Sequence, residues 1–208
     1  MDKSEIIELE SFVFQNKSKV STATSMMSDF IGVMIGVKTV ASECFTAEEF
    51  SGLDFERLID LLNQVGLKTL FFRRNYVYKG KLTWIEDIYV SRNIQSILDL
   101  RKQFEKLHQS MDDMGQIFNQ ALWEESSRGI GKLLGYPDTA IEYFIANQDI
   151  DDEKRQKLIK RNRFYVHSPE HEEQEYQSYD RKIYQALSDY APQTAKYFSE
   201  DKSKRWLK

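Results

Sequence analysis

Apolar positions recur at helical spacing over several stretches, separated by one region of β-branched and aromatic residues. Over 4–14, Ile6, Ile7, Leu9, Phe12, Val13 and Phe14 form a mixed pattern that suits a short helix better than a strand. Asn16 to Ser28 is rich in Ser, Thr and Lys and reads as a loop or mobile lead-in. From Phe30 to about Ala41 the nearly continuous β-branched run predicts a strand buried on both faces. Thr46 followed by Glu48 and Glu49 predicts an N-cap. Phe55, Leu58, Ile59, Leu61, Leu62 and Val65 then form an amphipathic helix closed by Gly66. Residues 67–74, a hairpin over 76–84 turning at Lys79-Gly80, and 85–90 read as a small sheet of three or four strands, at least partly antiparallel. Beyond Ser91 the pattern is helical. Ile94, Ile97, Leu98, Phe104 and Leu107 mark one helix, and Ile117, Phe118, Leu122, Ile130, Leu133 and Leu134 continue the pattern after a break at 111–115.

That second run ends at a corner. Gly135 suits a left-handed C-terminal cap because it lacks a Cβ, and Pro137 suits the first position of a helix over 137–147 because no intrahelical partner is needed for its nitrogen. A further helix is predicted over 151–162, and an extended piece over 164–167. Ser168-Pro169 then opens a helix whose stripe is Tyr176, Tyr179, Ile183, Leu187 and Tyr190. Pro192 ends it or starts a short successor. The expected fold is α+β, a small, mainly antiparallel sheet in the N-terminal half packed against a predominantly helical C-terminal half. One domain spans 1–208, with a mixed part over 1–91, a helical part over 92–198 and a charged tail over 199–208.

Composition narrows the function without naming it. The net charge of −4 and 30% charged residues give no global attraction to nucleic acid or anionic membrane. The amino terminus lacks the apolar stretch of a secretory signal, and no apolar run reaches the ~20 residues of a membrane span. A soluble, cytoplasmic protein without a membrane partner is expected. Oligomeric state is not readable. Cys44 is the single cysteine, which excludes an intrachain disulfide and suits a reducing compartment; it is expected as a small buried apolar residue.

Candidate chemistry is sparse. Gly32 to Lys38 approaches a phosphate loop, but three residues separate the glycines and Lys38 is the second residue after Gly36, so both spacings fail. His167 and His171 are four apart, yet Ser168-Pro169 puts a helix start between them and the pair diverges, so neither metal nor cofactor is predicted. Lys154 to Arg163 carries six cations in ten residues and precedes Phe164 and Tyr165, the best local candidate for nucleic-acid contact, though a solvated helix is the favoured reading.

Arg128, Lys132 and Tyr136 bracket the corner and Arg163 and His167 follow it, a set that suits a small anionic or phosphate-bearing ligand near a helix N-terminus, although Asp138 already occupies that field. Arg73, Arg74 and Arg92 could add charge to the same cleft. The expected function is non-catalytic binding or regulation. The alternatives are an enzyme on a small polar or phosphorylated substrate, with His167 as acid or base, and nucleic-acid binding through 154–163.

Ile130-Gly-Lys-Leu-Leu-Gly-Tyr-Pro137 and Phe164-Tyr-Val-His-Ser-Pro-Glu170 resemble an uncharacterised prokaryotic family known best from archaea, in which a similar Leu-Gly-Tyr-Pro corner is followed by cysteines and an aromatic residue. Here Asp138, Thr139 and Ala140 stand in that place, with Tyr143 and Phe144 after them. The resemblance implies a corner with a purpose. Any metal or redox chemistry of those cysteines does not carry over.

Overall fold

The structure is a computed structural model that describes residues 2–16, 23–78, 81–112, 115–148 and 168–200. It is α+β. Three antiparallel strands lie in the order β1-β3-β2, with β1 at Val40–Thr46, β2 at Lys68–Tyr78 and β3 at Lys81–Ser91. The β2–β3 hairpin turns where expected, Tyr78 facing Lys81, but each arm is one continuous strand of 11 residues, not two short ones. Alternation along the strands sends Ala41, Phe45, Phe71, Ile88 and Val90 to one face and Val40, Leu70, Phe72 and Tyr89 to the other.

The first face packs on α2 (Ala23–Met34) and α4 (Phe55–Gln64), with α1 (Lys3–Gln15) packed on those two helices and the C-terminal helices joining the same core through Ile183 and Leu187. The second face packs on α5 (Ile94–Gln109) and α6 (Gln120–Leu133). Helices from both halves of the chain therefore cover the sheet. α7 (Asp138–Ala146) closes a smaller cluster of Trp123, Ile141 and Ile145. Then come α8 (Glu172–Glu175), a π-helical turn over Tyr176–Asp180, α9 (Arg181–Tyr190) and α10 (Pro192–Glu200). Glu10, fully buried on α1, accepts from the Thr194 backbone N at 2.7 Å and from Thr194 Oγ1 at 2.9 Å, so a carboxylate from one end of the chain satisfies the first turn of α10 at the other.

The strand expected from Phe30 is instead helix α2, and the loop expected up to Ser28 is helical from Ala23. Met26, Met27, Phe30, Ile31, Val33 and Met34 are all essentially inaccessible. A helix buried all round has no polar face, so the 3.6 period that would have marked it is absent. The strand begins only at Val40, after a turn at Gly36. Cys44 is also corrected: on β1 it points away from Phe45 and is exposed. Its thiol is pushed up by partial burial and by Asp87 beside it, so it carries little thiolate.

Thr46 caps α3 (Ala47–Gly52) in a capping box, its hydroxyl accepting from the Glu49 backbone N while the Glu49 carboxylate accepts from the Thr46 backbone N at 2.9 Å. The cap positions Phe50, which stacks on Phe55 at 4.0 Å and meets Trp84 edge-on. Thr46→Ala is expected to lower stability by about 1 kcal/mol, read as an earlier urea midpoint with an unchanged slope.

Candidate functional site

The Gly135 corner closes a Schellman motif. The Tyr136 amide donates to Gly131 O at 2.9 Å and the Gly135 amide to Lys132 O at 3.0 Å, with Gly135 at φ +78°. Pro137 is the N-cap residue of α7, one position earlier than expected, and Asp138 opens the helix. The end of α2 is built the same way, with Val37 and Lys38 amides donating to Gly32 O and Gly36 N to Val33 O. These two turns abut. A Cβ on Gly135 would stand 2.2 Å from Val37 O and 2.9 Å from Lys38 Cα.

Lys38 therefore does not reach a phosphate; it is buried under the corner. Its side chain is 1% exposed, runs across Gly32 and ends 2.5 Å from Asp29 Oδ1. The Tyr136 ring centroid is 5.7 Å from Nζ. Burial alone would depress the ammonium, but Asp29, with further help from Tyr136 and Glu43, raises it above its ordinary value. Burial pushes the Tyr136 hydroxyl up as well, against the pull of Lys38.

The structure brings some of the sequence-predicted residues together and commits them to other work. Arg128 makes a bidentate pair with Glu142 at 2.8 and 3.0 Å and a third contact to Glu124 at 3.3 Å; the bonds to Glu142 raise its pKa. Lys132 Nζ lies 3.9 Å from Asp138, both side chains mostly exposed. Tyr136 turns inward, its ring 6.3 Å from that of Tyr179. Arg163 and His167 lie outside the described residues, as does the basic segment 154–163. Arg73 pairs with Glu86 over Trp84, Arg74 with Asp87, and Arg92 donates to Met34 O, so these three are engaged at separate points on the sheet and its end.

The helix expected to open at Ser168-Pro169 starts at Glu172. The Ser168 hydroxyl sits 3.2 Å from His171 Nδ1, and the Ser168 amide donates to Glu175 Oε2 at 3.1 Å, so the segment is held as a turn before the helix. Ser168, His171 and Glu175 have the composition of a hydrolytic triad but not its roles. Glu175 is 1% exposed, and its second oxygen is taken by Thr139 Oγ1 at 2.5 Å, so both oxygens serve structural donors.

An open groove of about 630 Å³ runs between the turn at the end of α2 and the face of α9. Ile35, Val37, Ala186 and Tyr190 supply its apolar surface, and Gln177, Arg181, Lys182, Gln185 and Asp189 its polar surface. Arg181 Nη1 donates to Gln177 Oε1 at 2.8 Å, and Gln185 Nε2 donates to Asp189. Among the described residues, neither Arg181 nor Lys182 has a carboxylate within ion-pair distance, unlike Arg128. Sequence reasoning missed this pair. The Tyr179, Ile183 and Leu187 stripe marked the buried side of the helix and left Arg181 and Lys182 on what reads as an ordinary solvated side.

Among the described residues, no three His, Cys, Asp or Glu side chains converge as a metal set, and no helix is long and apolar enough to cross a membrane. Comparison with protein-family models, with curated proteins and with solved structures finds no match.

Proposed function

We propose that this is an intracellular, non-catalytic binding or regulatory protein, and that the groove between Ile35–Val37 and α9 takes a small anionic or phosphate-bearing ligand. The observation that carries the reading is the pairing of two cations, Arg181 and Lys182, with an adjoining apolar floor, in a groove of the size small ligands use. A guanidinium and an ammonium at such a rim offer charge-assisted hydrogen bonds to an anion, and Ile35, Val37 and Tyr190 offer contact to its less polar part. In this proposal the Leu134-Gly135-Tyr136-Pro137 corner that resembles the archaeal family is a structural joint, and the binding surface lies beside it.

Isothermal titration with pyrophosphate and with adenosine monophosphate tests the reading. Arg181→Ala with Lys182→Ala is expected to weaken binding by at least tenfold, since each charge-assisted bond contributes about 1.5–3 kcal/mol. Arg128→Ala with Lys132→Ala is expected to leave it unchanged. The reverse result would move the site to the corner, and no heat from either probe would remove the anion reading.

A further inference from the structure

Both walls of the groove are tied to the same short piece of chain. The first wall, Ile35 to Val37, is backed by Gly135, which approaches Val37 O and Lys38 Cα more closely than any side-chain-bearing residue could. Directly behind it Tyr136 lies over the Lys38 ammonium, itself held by Asp29 at 2.5 Å. The second wall is the helix carrying Gln177 and Arg181, and it is held from behind at two points. Thr139 Oγ1 donates to the buried Glu175 at 2.5 Å, and the Tyr136 ring meets Tyr179 at 6.3 Å. Glu175 and Tyr179 stand two residues before and after Gln177.

The helix between these points is not regular. Tyr176 to Asp180 is a π turn, whose wider spacing changes which side chains face outward after it and so aims Arg181 relative to Gln177. Such turns occur mostly as single insertions in α-helices and concentrate at functional sites. One isolated helix cannot keep this register by itself, because the i to i−4 ladder competes with it. Contacts from outside must fix it, and Thr139 and Tyr136 are positioned to supply them.

Resting on the groove reading above, we infer that the corner from Gly135 to Thr139 is a brace that sets the width of the groove, with Thr139 and Tyr136 as positioning residues that never touch the ligand. Tyr136 is the shared element, reaching Lys38 on one side and Tyr179 on the other. Thr139 holds only the helical wall. The two side chains therefore have separable effects.

Amide hydrogen exchange and titration on the full chain test this together. In Thr139→Val, which keeps the shape and loses the hydroxyl donor, amides over 177–181 are expected to exchange about tenfold faster. Those of Val37 and Lys38, and those of α4 and α5, should be unchanged. Affinity for pyrophosphate should fall with it, and Thr139→Ser should restore both. Tyr136→Leu is expected to speed exchange at both walls. It carries the test if Thr139→Val does not fold. Exchange that rises evenly over the molecule, or does not rise at the walls, overturns the brace. If the walls respond as stated but pyrophosphate and adenosine monophosphate do not bind the unaltered protein, the brace stands and the anion reading fails. Intact binding with unresponsive walls leaves the anion reading standing and removes the brace.

Discussion

Asp29→Ala is expected to lower stability by about 3–5 kcal/mol, while Lys38→Met lowers it by only roughly 1 kcal/mol. The asymmetry follows from where each charge lies. The Lys38 side chain is 1% exposed, so losing Asp29 leaves an ammonium stranded in the interior, with Glu43 contributing only field; the Asp29 side chain is 18% exposed and can turn to water when Lys38 is gone. Methionine also fills the channel across Gly32 that the lysine stem occupies. For a chain of this size the larger loss corresponds to a melting temperature lower by about 6–20 °C. Equal losses for the two variants would mean that the pair is as hydrated as a surface bridge.

The same ion pair sets an alkaline limit. Since Asp29 holds the Lys38 ammonium above its ordinary 10.5, the stability it supplies is complete below that pH and is lost as pH rises through the higher folded value. Tyr136, raised by burial, and Tyr89, raised by burial to about 12, act with the same sign, because the unfolded chain releases those protons first. A pH series of urea midpoints should therefore fall steeply above pH 10, and less steeply in Lys38→Met.

What could be read from the residues was what local chemistry decides. The α4 stripe, the Thr46 cap, the β2–β3 pairing up to Tyr78 and Lys81 and the Gly135 stop each depend on neighbours within a few positions, and each is where it was expected. The α2 helix was not legible, because its partners α1, α9, α10 and the sheet surround it and erase its polar face. Lys38 was recognisable as the failed lysine of a phosphate loop, yet nothing in the motif foretold that it would fold back nine residues to pair with Asp29 on α2. The candidate site was half legible for the same reason. The corner announced itself through Gly135 and Pro137, and Glu124 stands one helical turn before Arg128, but the bidentate partner Glu142 and the turn that meets α9 come from other elements. Charge in sequence shows where a cation is. It does not show whether an acid is waiting for it.

Gly135→Ala is expected to cost about 2–5 kcal/mol, distinctly more than the same change at Gly36 or Gly66. All three glycines hold a left-handed backbone, at φ +78°, +74° and +79°, so each substitution carries a strain of roughly 1–2 kcal/mol. Only at Gly135 does the new methyl meet anything. It would fall 2.2 Å from Val37 O and 2.9 Å from Lys38 Cα, both backbone atoms that cannot swing aside, whereas nothing lies within 4 Å at Gly36 or Gly66. Overpacking of this kind adds about 1–3 kcal/mol. The difference between Gly135→Ala and Gly36→Ala, taken from urea midpoints, thus measures the contact between the two turns with the strain cancelled. Should the two variants unfold at the same denaturant concentration, the turns do not touch in solution, and Val37 is free to move with respect to the α6–α7 corner.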